Sequence, residues 1–160
     1  MANFTKFGGT TPRVVIYKSE SHKLHQAFPV PVKAPVQIYA GNPVAITAEG
    51  TIELLTKDNE ASYLGIAVTD SINPAYKDSA NADSVEVTVA VQGFMIINAI
   101  SEAALNAGPV EIGNGMDGTH HFTKFKTFAQ ADDATATRPV NFISLTKASA
   151  EGELIQVLCK

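Results

Sequence analysis

The run Val85-Glu86-Val87-Thr88-Val89-Ala90-Val91-Gln92 places valine at every second position. A two-residue period belongs to a strand with one buried face, because successive side chains leave a strand on opposite sides. The run is one of several within Val36–Ala99. Val36-Gln37-Ile38-Tyr39-Ala40 leads through Gly41-Asn42-Pro43 into Val44-Ala45-Ile46-Thr47. Glu49-Gly50 precedes Thr51-Ile52-Glu53-Leu54-Leu55, and Tyr63-Leu64-Gly65-Ile66-Ala67-Val68 follows. Turn-forming residues separate the apolar runs, as hairpins and meanders require. The pattern predicts an all-β chain whose short strands close into a small sandwich or barrel.

Residues 1–35 read differently, as an extended N-terminal arm ahead of a β-rich body at residues 36–160. Gly8-Gly9-Thr10-Thr11-Pro12 is a polar break, followed by the β-prone run Val14-Val15-Ile16-Tyr17. Ser19 to Gln26 suits one helical turn or a loop. Prolines at 29, 31 and 35 make Phe28 to Pro35 a stiff spacer near polyproline II. The arm either reaches a neighbouring subunit or folds back as a strand on its own body. It holds five cations against Glu20 alone, so a chain of net charge −4 leaves −8 on the body. A basic arm on an acidic body is a segregation that electrostatic docking can use.

Beyond the valine run, Phe94-Met95-Ile96-Ile97-Asn98-Ala99-Ile100 is apolar on both faces, so either the chain itself or another subunit covers it. Ser101 to Gly108 carries the signals of a short helix: a serine cap, an acidic first turn and a terminal glycine. Gly113 to Gly118 predicts a flexible loop, Thr119 to Thr127 a hairpin partner anchored by Phe122, Phe125 and Phe128, and Ala129 to Arg138 a surface loop. The closing run Leu154 to Cys159 is apolar enough to lie inside a sheet. The loop at residues 70–84 is longer than most connections in a compact domain.

The residue types that carry chemistry are scattered. His120 and His121, taken as strand neighbours, point to opposite faces and do not chelate one ion together. Gly113-Asn114-Gly115 lacks the Lys-Ser/Thr of a phosphate loop, and no Gly-x-Ser-x-Gly elbow occurs. The single cysteine, Cys159, has no disulfide partner and suits a buried apolar position better than a nucleophile's role. Carboxylates such as Asp58 and Glu60, or Asp132 and Asp133, read as solvated surface. The expectation is a protein without catalytic activity, metal or cofactor. An acidic net charge argues against nucleic acid as a partner. No apolar run reaches the roughly 20 residues that span a bilayer, and the N-terminus lacks a secretory apolar core, so cytoplasmic synthesis is expected.

The order Gly41-Asn42-Pro43-Val44-Ala45-Ile46, Gly65-Ile66-Ala67-Val68 and Val85 to Gly93 resembles the head-decoration (cement) proteins of tailed bacteriophages. So does Ser101 to Ala107 followed by Gly108-Pro109-Val110, and the closing Leu145 to Leu158 with its small-residue turn before a last strand. The resemblance spans roughly residues 36–160. It implies an all-β, β-tulip-like sandwich or barrel with one short helix and an extended arm, and a homo-oligomer, often a trimer. It further implies a place on the capsid exterior at threefold or quasi-threefold positions, where such proteins bridge major capsid protein subunits and reinforce the shell without catalysis. The arm residues Phe4, Lys6, Phe7, Arg13, Val14, Ile16, Tyr17 and Lys18 are then the expected capsid contacts, and Phe94, Met95, Ile96 and Ile97 the expected oligomer interface. The chain departs from the smallest members in its longer arm and in insertions at 70–84 and 113–139. An alternative from another class is a surface-displayed module recognising glycans through those two loops, with Tyr76, Asn81, Asp83, Asn114 and Asp117 suited to sugar hydroxyls.

Overall fold

A computed structural model describes residues 16–20, 25–30, 37–71, 86–91, 94–130 and 138–160. The chain is all-β, as the valine alternation predicts. Its strands are β1 (Ile16–Glu20), β2 (His25–Pro29), β3 (Pro43–Ile46), β4 (Ile52–Leu54), β5 (Tyr63–Ala67), β6 (Glu86–Ala90), β7 (Phe94–Ser101), β8 (Gly108–Met116), β9 (Thr123–Thr127), β10 (Phe142–Ser144) and β11 (Leu154–Cys159). A 3-10 turn at Glu60–Ser62 is the only helical element among the described residues. The chain divides into two compact units, Met1–Ser19 with Phe94–Lys160, and Glu20–Gly93. The sequence division at residue 35 parts arm from body, whereas each unit's sheet takes one strand of the arm.

The first unit is a barrel. β7, β11, β10, β8 and β9 follow one another in hydrogen-bonded order, and β9 returns to pair with β7, with β1 attached beside β7. Alternate residues fill the interior: Met95, Ile97 and Ala99 of β7, Ile155, Val157 and Cys159 of β11, Phe142 of β10, Val110 and Ile112 of β8, and Phe125 of β9 are all buried. Registers bring these residues level, as Met95 opposite Cys159, Ile97 opposite Val157 and Ile112 opposite Phe125. The Phe125 and Phe142 rings meet edge to face with centroids 5.2 Å apart, a favoured aromatic geometry. Each such fully buried side chain contributes about 1.5–3 kcal/mol, so a small barrel packed by its own side chains is stable without a ligand inside. β11 lies between β7 and β10, inside the sheet as its composition predicts.

Two expectations fail here. The segment Ser101 to Ala107 is not a helix: Ser101 ends β7, and Leu105 forms an isolated bridge with Ala148 in which each N–H donates to the other's carbonyl at 2.9 Å. Backbone partners distant in sequence satisfy these groups, and they outcompete the local helix signals. Gly113-Asn114-Gly115 is likewise not a free loop. β8 runs through it to Met116 as a bulge, where the pairing with β9 shifts between Ile112 and Met116.

The second unit is a five-stranded antiparallel sheet in the order β2-β6-β5-β3-β4. Val87 and Val89 of β6 pack with Val30, Ile38, Val44, Ile52 and Ala67, while Phe28, Leu54, Leu64 and Val91 cover the cluster. Glu86 of β6 is exposed, so the alternation buries one face as expected.

The Gly41-Asn42-Pro43 segment is a tight turn clamped from three sides. Asn42 N–H donates to the Tyr39 carbonyl at 3.0 Å, and Gly41 supplies the positive φ of 91° that the third turn residue requires. The buried Asn42 Oδ1 accepts from Tyr39 N–H at 2.8 Å, and Asp70 Oδ1 accepts from Ala40 N–H at 2.8 Å. Gly41 N–H donates to the Ala67 carbonyl, and Ala67 N–H donates to the Asn42 carbonyl.

Gly65 of β5 lies against β6, and a Cβ there would run into the Ala90 carbonyl oxygen. That obstacle is backbone and cannot swing aside. Gly65→Ala is expected to lower the unfolding free energy by about 3 kcal/mol, at the upper end of overpacking costs. Gly118→Ala, at a position with no atom within 4 Å of the added carbon, is expected to change it by less than about 0.5 kcal/mol. Urea unfolding of the two variants beside the parent chain measures both.

Candidate functional site

Of the expected capsid contacts, Phe4, Lys6, Phe7, Arg13 and Val14 lie outside the described residues. Ile16, Tyr17 and Lys18 lie on β1, the end strand of the six-stranded sheet, beside β7. Ile16 and Tyr17 of the β-prone run therefore pair within their own chain, the second of the two arrangements the sequence allows. The vacancy it fills is specific. β11 covers one edge of β7 from Met95 to Ile100, while β9 takes the other edge only at Ile100 and Ser101. The remaining backbone groups on that edge need partners, and β1 supplies them.

The structure also separates the four expected interface residues. Met95 and Ile97 point into the barrel and are buried, so the barrel's own interior accounts for half of the two-faced apolar pattern. Ile96 is half-buried on the outer side. Phe94 alone stands clear, 60% exposed. Leu145, after β10, and Ile46, ending β3, are the other exposed large apolar residues among those described.

β2 is a strand where the sequence suggests a helical turn or a loop running into a proline spacer. Its hydrogen-bonding parity follows from its neighbour. Thr88 of β6 receives Val68 N–H on its carbonyl at 2.8 Å and donates its own N–H to Thr69 Oγ1 at 2.9 Å. Both Thr88 groups thus point away from β2. Ala27, opposite Thr88, is therefore a non-bonded position of the β2–β6 ladder, and Gln26 with Val89 and Phe28 with Val87 make the bonds. Ala27 turns its N–H and C=O outward, as do its alternates His25 and Pro29. Proline lacks an N–H, and it falls at a position where no ladder bond is lost. Gln26, Ala27 and Pro29 are exposed.

The opposite edge of the same sheet is closed off. β4 has three residues, presents exposed Glu53, and has the Leu54 carbonyl capped by Asn59 Nδ2 at 3.0 Å. The same amide group reaches Glu53 Oε1 at 2.8 Å.

Among the described residues of the 113–139 region, Asn114, Asp117 and Arg138 make internal bonds. Glu102 accepts from Asn114 N–H and Asn114 Nδ2, each at 2.7 Å. Asp117 organises the β8–β9 hairpin: its carboxylate accepts from the N–H groups of Thr119 at 3.2 Å, His120 at 2.8 Å and Phe122 at 2.6 Å. His120 and His121 belong to this turn rather than to a strand, and His121 takes a left-handed φ of 60°. His120 Nδ1 lies 3.4 Å from Asp117 Oδ2. Phe122, an expected anchor, is buried beneath the turn. Glu111, buried on β8, receives Arg138 Nη1 at 2.8 Å and lies 3.6 Å from Lys126 Nζ. Arg138 stacks on Phe128 at 4.9 Å and also donates to the Ala129 carbonyl. Tyr76, Asn81 and Asp83, the other glycan-suited residues, lie outside the described residues.

Cys159 is buried in the barrel, and that burial pushes its thiol pKa up, so it stays protonated and unreactive. Among the described residues no three of His, Cys, Asp and Glu gather to hold a metal ion. No protein-family model matches the chain, and no curated protein matches it.

Burial raises the Asp117 pKa, but the three backbone donors and nearby His120 outweigh it and hold the carboxyl below its ordinary value. A folded pKa below the unfolded one stabilises the fold above the unfolded value, about 4, and that contribution fades as pH falls through the folded value. Asp117→Ala is expected to cost about 2 kcal/mol at pH 7, with the gap to the parent chain narrowing below about pH 4. Urea unfolding at both pH values gives the comparison. Glu111→Ala leaves the Arg138 guanidinium without its buried counter-charge and is expected to cost about 3 kcal/mol. Its thermal unfolding checks this.

Proposed function

We propose that this chain is a structural virion protein that binds the outer surface of a phage capsid and stabilises the shell by bridging major capsid protein subunits. It does so as a homo-oligomer, without catalysis or cofactor, and without nucleic acid or membrane as partner. The resemblance of residues 36–160 to capsid cement proteins suggests this reading. The observation that supports it best is the placement of the arm, because β1 ends one sheet and β2 ends the other.

An end strand offers a row of backbone donors and acceptors to an extended segment of another chain. Pairing of that kind gives affinity from main-chain bonds, and neighbouring side chains choose the partner. The arm's role is therefore to form pairing edges on the two units and to carry residues 1–15, with Phe4, Lys6, Phe7, Arg13 and Val14, ahead of β1. Lys6 and Arg13 bring positive charge without a carboxylate in that stretch, which favours approach to an acidic surface. Repetition over a symmetric shell adds weak single contacts into high avidity.

Removal of residues 1–15 tests this while leaving β1 and β2 in their sheets. Occupancy of assembled capsids is expected to fall at least about tenfold, equivalent to about 1.4 kcal/mol, while the far-UV circular dichroism stays that of the parent. Undiminished occupancy in a cosedimentation assay rejects the arm as the docking element.

A further inference from the structure

The two edges of the second unit's sheet are treated in opposite ways. Natural sheets guard their edges with short strands, charges, bulges or covering groups. β4 has such guards: three residues, an exposed glutamate and a capped carbonyl. β2 has five residues, and none of them is Asp, Glu, Lys or Arg. Its central residue, Ala27, is exposed and turns both backbone groups outward, and its proline stands at the end rather than the middle. Among the described residues β2 pairs only with β6.

From this we infer that the outer edge of β2 is the site where a second copy of this chain docks, antiparallel and about a twofold axis through Ala27. The strand is self-complementary in three respects. Two residues flank Ala27 on each side, so a twofold axis there matches the strand to itself along its whole length. Ala27 and its mate exchange both N–H···O=C bonds, and each His25 N–H meets the other chain's Pro29 carbonyl. The missing proline donor sits at the outermost register position, where its loss matters least.

The absence of fixed charge means that no like charges face each other across the axis, as they would if an edge lysine or glutamate stood there. The small Ala27 side chain at the axis allows backbones to approach to sheet spacing. Finally, half-buried Phe28 packs against the second unit's core on one side and comes opposite the uncharged Gln26 of the mate, so no charge is buried beside its ring. The result joins two five-stranded sheets into one continuous sheet.

This twofold contact is distinct from the threefold association that the resemblance implies, and it stands whether or not the chain binds a shell. Sedimentation velocity of the full chain tests it. The parent is expected to be a reversible dimer. Ala27→Pro removes only an outward N–H, so it is expected to weaken dimerisation at least about tenfold with unchanged circular dichroism. A parent chain that stays monomeric at every concentration overturns the inference, and so does a trimer or a dimer indifferent to Ala27→Pro.

A second measurement holds even if the proline variant misfolds. In a hydrogen-bonded antiparallel pair the facing Cα atoms are about 5.5 Å apart, within the range a disulfide spans. Ala27→Cys is therefore expected to cross-link into a covalent dimer under mild oxidation. Glu53→Cys, on the guarded edge, is expected to remain mostly uncross-linked, and Cys159 is buried. Equal cross-linking of the two variants, or none in Ala27→Cys, overturns the inference.

Discussion

The barrel depends on one parallel contact. Four of its five strand pairings are antiparallel: β7 with β11, β11 with β10, β10 with β8, and β8 with β9. Direction reverses at each, so β9 comes round running the same way as β7, and an odd-stranded ring can close only by a parallel pair. That pair is short, joining Ile100 to Lys124 and Ser101 to Phe125. Parallel pairing is slightly weaker per residue than antiparallel, so the closure is reinforced around Ser101. Its N–H donates to the Glu153 carbonyl, its carbonyl accepts from Gly152, and its buried hydroxyl donates to the Ala150 carbonyl at 2.8 Å. Glu102 continues the clasp, donating its N–H to the Phe125 carbonyl and holding Asn114 of the β8 bulge with its carboxylate.

That clasp explains what the sequence conceals. Ser101-Glu102-Ala103-Ala104-Leu105 has every local mark of a helix start. Serine and glutamate serve just as well as donors and acceptors to distant backbone, and nothing local says which they will do. Partners at residues 125, 148 and 153 decide it, and a one-dimensional reading cannot see them. The valine alternation of β6 and the apolar run of β11 were legible because burial of a face imposes its period directly on the sequence. The Gly41-Asn42-Pro43 turn was legible for a similar reason, since φ of 91° restricts the residue at 41. The strand β2 was hidden, because only Phe28 among its residues favours a strand strongly.

Polar residues carry the same lesson into the candidate site. Asp117 and Asn114 were expected in a flexible loop, yet Asp117 holds three backbone N–H groups in place and Asn114 is bound by the Glu102 carboxylate. Asp117 satisfies three N–H groups that the excursion from Met116 to Thr123 would otherwise leave unpaired, and Phe122 beneath it ties the turn to the barrel. A loop built this way is stiff. Its side chains are spent on its own geometry, which leaves less of their bonding capacity for a ligand.

The arm shows the converse economy. A segment that completes two sheets belongs to the fold, yet among the described residues each of its strands stands at the end of its sheet. An end strand has half the ladder bonds of a central one, so it is the part of a sheet that peels first. A partner that pairs with the outer edge of such a strand converts it into a central strand and secures the inner pairing as well. Association at the arm would therefore stabilise the unit that bears the paired strand, because binding to the folded form alone draws the equilibrium towards it. A guarded edge such as β4 gains nothing of that kind. The chain thus places its least secured strands where association would do the most to hold them.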